Sequence, residues 1–314
     1  MTVTPIHVVA AVLEDAAGRI LIAQRPAGAH QGGLWEFPGG KLEPGETPLR
    51  GLARELEEEL GIRVLATRPL IRVPHDYGDR RLVLEVHRVT AYAGEPIGRE
   101  GQPLAWRHPE DLDPKTFPAA DRPIITALRL PSRYLISGDD PAEPAMFLAR
   151  LARSLAEGIE LVQLRAHDLP DADYAALAFA ARDLCRRQGV RLLLNRDPAR
   201  ARGLAGDGLH LTGQHLAGLR ERPPAWPLVG ASCHGAADLA RAADLGLDYA
   251  LLSPLRPKSP HPGAPHLGWE RFAVLVADAR LPVYALGGLG TGDLDQAIER
   301  GAQGIAAIRG LWSV

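Results

Sequence analysis

The sequence predicts an α/β protein of two domains, with a mixed α and β first half and a (βα)8 barrel behind it. Three observations predict this. The chain has 314 residues, about twice an ordinary domain. Residues 1–130 combine alternating apolar strands with one strongly amphipathic helix. Residues 134–310 carry eight short β-rich runs separated mostly by helical segments, and eight is the number of parallel strands that closes such a barrel. The junction is expected around Leu130-Pro131-Ser132-Arg133, dividing the chain into 1–131 and 132–314.

In the first half, the apolar alternation over 6–13 leads through the turn Asp15-Ala-Ala-Gly18 into a second strand at 20–24. A helix is expected at 48–60, with Thr47 as N-cap, Pro48 at its first position and Gly61 as its stop. At 100° per residue Leu49, Leu52, Ala53, Leu56 and Leu60 form one stripe, which should face the core. Further strands are expected near 70–74 and 82–91, and a short helix near 120–129. In the second half the β-rich runs are 134–137, 161–164, 192–195, 208–211, 228–231, 249–253, 283–286 and 304–308. The clearest helices between them are 172–188, 236–245 and 293–300, and the segments after Asn195 and Leu211 are short.

Composition narrows the function. Apolar residues make up 46% and charged residues 24%, ordinary for a soluble globular chain. Net charge is −2; residues 1–131 hold 16 basic and 18 acidic side chains, and the remainder 20 and 20. Neither half has the positive excess that a nucleic-acid polymer calls for, so a small-molecule substrate is expected. The longest uncharged stretch, 223–237, is short for a membrane span and broken by prolines. The start MTVTPIHVVAAV lacks the basic residues of a signal peptide, and two cysteines, Cys185 and Cys233, make no disulfide framework. A cytoplasmic location is expected.

The chemistry of the first half centres on its helix. Glu55, Glu58 and Glu59 share a face at i, i+3 and i+4, where like charges repel. A solvated acidic face is the plain explanation of three such glutamates. A hard divalent cation would reverse the sign of the interaction, and oxygen-only ligands point to Mg²⁺ or Mn²⁺ rather than zinc.

The surrounding spacing decides between these readings. Residues 40–62 match G-x5-E-x7-R-E-U-x-E-E-x-G-U, with U apolar, at Gly40, Glu46, Arg54, Glu55, Leu56, Glu58, Glu59, Gly61 and Ile62. This half therefore resembles the Nudix hydrolases. Gln24-Arg-Pro-Ala-Gly-Ala-His30, Leu34-Trp-Glu-Phe-Pro-Gly-Gly-Lys41, Glu95-Pro-Ile-Gly-Arg-Glu-Gly-Gln-Pro103, Trp106 and Phe117-Pro-Ala-Ala120 resemble its MutT branch, the 8-oxo-dGTP diphosphatases. The resemblance implies an α/β/α sandwich and Mg²⁺-dependent attack of water on a pyrophosphate, releasing a nucleoside monophosphate and pyrophosphate. It implies that Glu58 and Glu59 bind metal, that Glu55 is a ligand or the base, that Arg54 orients a glutamate, and that Glu100 is a further ligand or base. The resemblance also makes the Gly39 carbonyl a candidate metal contact. Lys41 and Arg25 are candidates for the phosphates, though either alone would pass as a surface charge. By position His30, Phe37, Arg80 and Asp121 would line the base pocket. The MutT pattern has Asn where this chain has Asp121; an amide both donates and accepts, whereas a carboxylate donates only when protonated.

In the second half, Leu161-Val-Gln-Leu-Arg165, Asp207-Gly-Leu-His-Leu211, Gly230-Ala-Ser-Cys-His234, Pro262-Gly-Ala-Pro-His-Leu-Gly268 and Ala285-Leu-Gly-Gly-Leu289 together resemble the thiamine phosphate synthase and TenI family, a compact (βα)8 TIM barrel. Measured against that family the synthase chemistry is damaged. His167 stands for a lysine, Arg196 for one metal aspartate, His215 for a second, and Lys258-Ser-Pro-His261 for a Thr-x-Thr-Lys loop. Loss of synthase activity is therefore expected. Arg165, Asn195, His234, Gly287, Gly288 and Arg309 remain as barrel ligand candidates, His234 as a proton shuttle. Cys233 reads as a small buried residue. Two rival functions follow: hydrolysis of a thiamine-pathway pyrophosphate with a thiazole-phosphate-binding or isomerising barrel, or a barrel that serves as sensor or scaffold.

Overall fold

The alternating run at the start of the chain forms the centre of a sheet. The computed structural model describes residues 5–28, 31–138, 143–257 and 265–312. Contacts divide the chain into two compact units, Met1–Leu130 and Pro131–Val314.

The first unit contains β1 (Ile6–Leu13), β2 (Ile20–Gln24), β3 (Trp35–Glu36), β4 (Gly39–Lys41), α1 (Pro48–Leu60), β5 (Arg63–Asp76), β6 (Arg81–Ala93), β7 (Leu104–Arg107) and α2 (Arg122–Arg129). One sheet has the order β4-β1-β6-β5, with β1 and β6 parallel; a second has the order β3-β2-β7. Period-two alternation along β1 sends Val9, Ala11 and Leu13 into a core with Leu52, Leu56 and Leu60 of α1. Ala10 and Val12 enter another with Phe37, Phe117 and Ile124, Ile125 and Ala127 of α2. The result is the expected α/β/α layering.

Two local expectations need correction. Thr47 sits at the N-cap but its side chain makes no capping bond, so the α1 start rests on Pro48, whose fixed φ suits a helix and whose missing N–H needs no acceptor. Leu49 is 54% exposed while Leu52, Leu56 and Leu60 are fully buried. Periodicity gives the angle around the axis but not how far along it the packing surface extends. Gly61 closes the helix in the left-handed conformation at φ 71°. Strands β5 and β6 run well past the apolar segments that predicted them, because their antiparallel ladder continues from Arg63↔Ala93 to Asp76↔Arg81. Pro69 and Pro74 are tolerated because β5 is an edge strand.

The second unit is a closed barrel of eight parallel strands. In order it runs β8 (Arg133–Ile136), α3 (Pro144–Ala156), β9 (Leu161–Leu164), α4 (Asp171–Arg187), β10 (Arg191–Leu194), α5 (Pro198–Ala201), β11 (Gly208–Leu211), α6 (Gly213–Gly218), β12 (Val229–Cys233), α7 (Ala236–Asp244), β13 (Tyr249–Leu252), α8 (Gly268–Ala277), β14 (Val283–Leu286), α9 (Leu294–Glu299) and β15 (Gly304–Ala307). Outward strand residues such as Val162, Leu192, Leu209 and Ala231 pack in one apolar layer with helix residues such as Phe147, Leu177 and Phe272. The rings of Tyr134, Tyr249 and Tyr284 meet edge-on or tilted with centroids 5.4–5.8 Å apart. Gly230 makes room for them: a Cβ there would lie 2.1 Å from the Tyr249 ring. No helix of the described residues is long and apolar enough to cross a membrane.

Candidate active site

The box residues are assembled by α1 and the strand before it. Arg54 is the hub. Its Nε and Nη2 donate to the two oxygens of Glu46 at 3.1 and 2.9 Å, Nη1 to Glu55 at 3.0 Å and Glu58 at 3.2 Å, and Nη2 also to the Lys41 carbonyl at 3.1 Å. The guanidinium fork holds the Glu46 carboxylate below its ordinary range. Glu59 points the other way and accepts from the Gly39 N–H at 3.2 Å. Two glycines are obligatory here. Gly39 has φ 147°, and a Cβ on Gly40 would lie 2.3 Å from the Glu55 carboxyl carbon, so the first box glycine is the space that carboxyl occupies.

Glu100 is outside the box but is brought to it by main-chain ties. The backbone N–H of Arg99 and the side-chain amide of Gln102 both donate to the Glu59 carbonyl, at 2.9 and 3.2 Å. Burial pushes the Glu59 carboxyl up to about 8; the Gly39 N–H opposes this, and the charges of Glu55, Glu100 and Glu36 add to it. Glu55 is also raised, by burial against the opposing Arg54.

Among the described residues no three Asp, Glu, His or Cys side chains converge at metal-binding distance. Arg54 holds Glu55 and Glu58 while Glu59 turns to Gly39. The donor set nevertheless fits a hard cation: it is all oxygen, and its most buried member carries a penalty from three neighbouring carboxylates that a divalent ion would relieve.

Beside Glu59 opens a cavity of about 330 Å³. Lys41, Arg25, Phe37, Arg80 and Asp121 all line it, so five of the six expected substrate contacts share one space with Glu59 and Gly39. His30 lies outside the described residues. Phe37 packs on Phe117 with centroids 5.6 Å apart. Asp121 is buried at the start of α2. Burial pushes its carboxyl up to about 8, with the charge of Glu36 adding to the shift and Arg25 opposing it. Sequence reasoning passed over Glu36 and Tyr77, which also line the cavity. Glu36 is ion-paired with Arg25, a partnership made by the β2–β3 ladder.

The barrel holds a second cavity, about 670 Å³, at the carboxyl ends of its strands. Arg165, Asn195, Gly287, Gly288 and Arg309 line it, with His167, Arg256, Gln163 and Ser232. His234 does not. It is exposed, and its Nδ1 donates to the Ser253 carbonyl at 2.8 Å. Strand β12 ends at Cys233; just past it the His234 backbone N–H donates to Asp238 at 2.8 Å and the ring turns to Ser253, whereas Ser232, inside the strand, points inward. Cys233 is fully buried in the outer layer, which pushes its thiol up to about 12. Gln163 and Ser232 were detectable in principle as polar residues at inward positions of apolar strands. Arg196, in the expected metal position, points its guanidinium into the loop after β9. It donates to the carbonyls of Ala166, His167 and Leu169, pairs with Asp171 at 3.0 Å and stacks on Tyr174 at 4.4 Å. His215 approaches Asp197 at 3.8 Å. The Lys258–His261 loop and residues 262–264 lie outside the described residues.

Comparison with known proteins matches each unit separately. The model described as "NUDIX domain" matches residues 8–127, and that described as "Thiamine monophosphate synthase" matches residues 133–311. An 8-oxo-dGTP diphosphatase of Proteus vulgaris is 46% identical over 96 residues, 31% of this chain and 86% of its own. A CTP pyrophosphohydrolase of Escherichia coli K12 is 40% identical over 122 residues, 39% of this chain and 90% of its own. A putative thiamine-phosphate synthase of Geobacter sulfurreducens is 36% identical over 182 residues, 56% of this chain and 84% of its own. The chain therefore belongs to two families, with a Nudix hydrolase domain in its first unit and a thiamine phosphate synthase/TenI domain in its second.

Proposed function

We propose that the first unit hydrolyses an oxidised purine nucleoside triphosphate, 8-oxo-dGTP, to 8-oxo-dGMP and pyrophosphate. One observation carries this reading: a single cavity has Glu59, Gly39, Lys41 and Arg25 together with Phe37, Arg80 and the buried Asp121. It thus offers a phosphate end and a base end. Glu55, Glu58, Glu59, Glu100 and the Gly39 carbonyl would hold Mg²⁺, or Mn²⁺ in its place. The ion, when bound, screens the phosphate charge and acidifies water. Arg54 positions Glu55 and Glu58 through one guanidinium. Glu55 or Glu100 takes the proton of the attacking water. Lys41 and Arg25 bind phosphate oxygens, and Phe37 packs on the base. Asp121, raised to about 8, is protonated at neutral pH. It then offers an O–H donor and a carbonyl acceptor, the same pair as the amide of the MutT pattern. The reading needs only a small nucleotide as partner, with no nucleic-acid polymer and no membrane, in the cytoplasm.

For the second unit the proposal is that synthase activity has been lost. Its described cavity lining contains no carboxylate, and the side chain at one expected metal position, Arg196, is committed to loop carbonyls and Asp171. A Mg²⁺–pyrophosphate substrate would find three arginines, one of them paired with Asp293, and no acidic ligand in the described lining.

The test is kcat/KM with Mg²⁺ for 8-oxo-dGTP, dGTP, CTP, hydroxymethylpyrimidine pyrophosphate and thiamine pyrophosphate under one set of conditions. Preference for 8-oxo-dGTP is expected. Preference for either thiamine-pathway compound would overturn the reading and make the barrel a functional partner in that chemistry.

A further inference from the structure

The loop between β6 and β7 closes the end of α1, and one side chain in it has two partners. The last carbonyls of a helix find no donor inside it. Here residues 97–102 supply donors. The Ile97 N–H donates to the Leu60 carbonyl at 3.0 Å, the Arg99 N–H to that of Glu59 at 2.9 Å and the Arg99 guanidinium to that of Glu57 at 3.0 Å. Gln102 goes further. Its Nε2 donates to the Glu59 carbonyl at 3.2 Å, and its Oε1 accepts the Glu100 N–H at 2.9 Å. The partners fix the amide orientation, because a backbone N–H only donates and a backbone carbonyl only accepts. An ionised carboxylate at this position would offer acceptors alone, and an aliphatic side chain would offer neither.

Gln102 is itself held from behind. The Pro103 carbonyl next to it accepts from the Gln24 N–H at 2.9 Å, where β7 begins its ladder with β2. A tight turn brings Glu100 back onto the amide. The Gly101 N–H donates to the Gly98 carbonyl at 3.2 Å with Gly101 at φ 77°, and a Cβ on Gly98 would lie 2.3 Å from the Gln102 carbonyl oxygen. One amide thus joins the main chains of two glutamates from different segments, one on α1 and one on the loop. The charge of Glu100 acts on both Glu59 and Glu36. We propose that Gln102 is a positioning residue for pyrophosphate hydrolysis, which fixes the Glu100 carboxylate against the α1 glutamates by holding the Glu100 main chain. The inference rests on the reading of Glu100 as a ligand or base of this site. Its leverage is geometric: displacing a reacting group by about 1 Å can cost about a hundredfold in rate.

The test is a double-mutant cycle on the full chain, using the most rapidly hydrolysed of the substrates compared above. Gln102→Met keeps the side-chain length and removes both bonds. Arg99→Met removes the guanidinium from the Glu57 carbonyl, leaves the Arg99 N–H on Glu59, and serves as the structural control. Gln102→Met is expected to lower kcat about tenfold while KM changes by less than about twofold. In a Glu100→Gln background the same change should cost less than about twofold, because a residue acting through Glu100 has nothing to position once that carboxylate is gone. Two readouts need no turnover. In metal-free protein the Glu100 amide should be protected from hydrogen exchange, and its exchange should speed up about tenfold in Gln102→Met but not in Arg99→Met. Mn²⁺ affinity, read by electron paramagnetic resonance of the free ion, should change in Gln102→Met in the same direction as in Glu100→Gln and stay at the parent value in Arg99→Met. An unprotected Glu100 amide in the unaltered protein overturns the proposal without any variant having to fold. Additive losses in the cycle, or equal losses in Arg99→Met, would give the loop a general capping role and also overturn it. Parent-like kcat in Gln102→Met beside an impaired Glu100→Gln removes the positioning role alone. Parent-like kcat and Mn²⁺ affinity in Glu100→Gln remove Glu100 from the site, and the proposal with it.

Discussion

The two cavities of this chain solve opposite electrostatic problems. The first gathers carboxylates: Glu36, Glu59 and Asp121 line it, and each is raised by burial. The second has no carboxylate in its described lining and three arginines, beside a His167 ring that burial, Arg165 and Arg196 hold toward its neutral form. Like charges held in a partly dry space must be neutralised by something. In the first cavity protons or a cation can do this, which suits a catalyst working on a polyphosphate. In the second, positive charge is already built in, and Asp293 offsets that of Arg256. Arg196 shows one result of the change: a guanidinium in the expected metal position gives its Nη1 and Nη2 to three carbonyls and an aspartate and stacks on an aromatic face, with its buried Nε left without a partner. The comparison teaches that two cavities of one chain can carry opposite charge, each set by the side chains its own strands and loops turn inward.

Changing the charge of the first cavity should have the largest effect. Glu59→Gln, and separately Glu58→Gln, should lower kcat by about a hundredfold or more with unchanged circular dichroism, and EDTA should abolish turnover until Mg²⁺ is restored. Near-normal Mg²⁺-dependent turnover in both variants would remove the metal assignment. In the barrel, Arg196→Ala leaves the carbonyls of Ala166, His167 and Leu169 without this donor, while Asp171 keeps Arg200 at 2.6 Å. We expect a loss of about 3 kcal/mol in denaturant unfolding of the second unit, with hydrolysis by the first unit retained. A loss under about 0.5 kcal/mol would mean that the guanidinium is a surface ornament.

Asp121 supplies a pH-dependent contrast. Its folded pKa is raised from 3.8 to about 8, so the folded state favours the proton. The stability it contributes is present below 3.8 and is lost as pH rises through about 8. Asp121→Asn should remove this slope, so that the variant's Tm gains on the parent as pH increases. The ratio of kcat/KM for 8-oxo-dGTP over dGTP should fall by about tenfold as pH passes upward through the Asp121 pKa in the parent, and stay flat in the amide variant. A flat profile in both would show that Asp121 does not touch the base. The smallest effect is at Leu49. Leu56→Ala should cost about 2–5 kcal/mol and Leu49→Ala less than about 0.5 kcal/mol, although both lie on one helical stripe.

Much of the first unit was legible because its signal is local. Residues 40–62 form a continuous segment in which a turn, a helix and its stop set every spacing, so the glutamates, Arg54 and the obligatory glycines could be read directly. The eight barrel strands were legible for the same reason, each being a short apolar run between turns. Partnerships made across strands were not. Glu36 sits in a motif otherwise noted for its aromatic and glycine residues, and only the β2–β3 ladder puts it against Arg25 and near Asp121. In the barrel, sequence reasoning favoured His234 for its titratable ring, while the structure places its neighbour Ser232 in the cavity.

The sequence by itself determined the two-domain organisation and the α1 acidic face with its proline start and glycine stop. These are properties of residue type and of spacing along one element, which 3.6- and 2-residue periods translate into faces. Tertiary structure decided which way Arg54 turns, that burial raises the Asp121 carboxyl, and that His210 sits between Tyr249 and Ser232 inside the barrel. Each depends on what surrounds a polar group once distant strands have closed around it, because desolvation and hydrogen-bond partners are set by three-dimensional neighbours and not by neighbours in the chain.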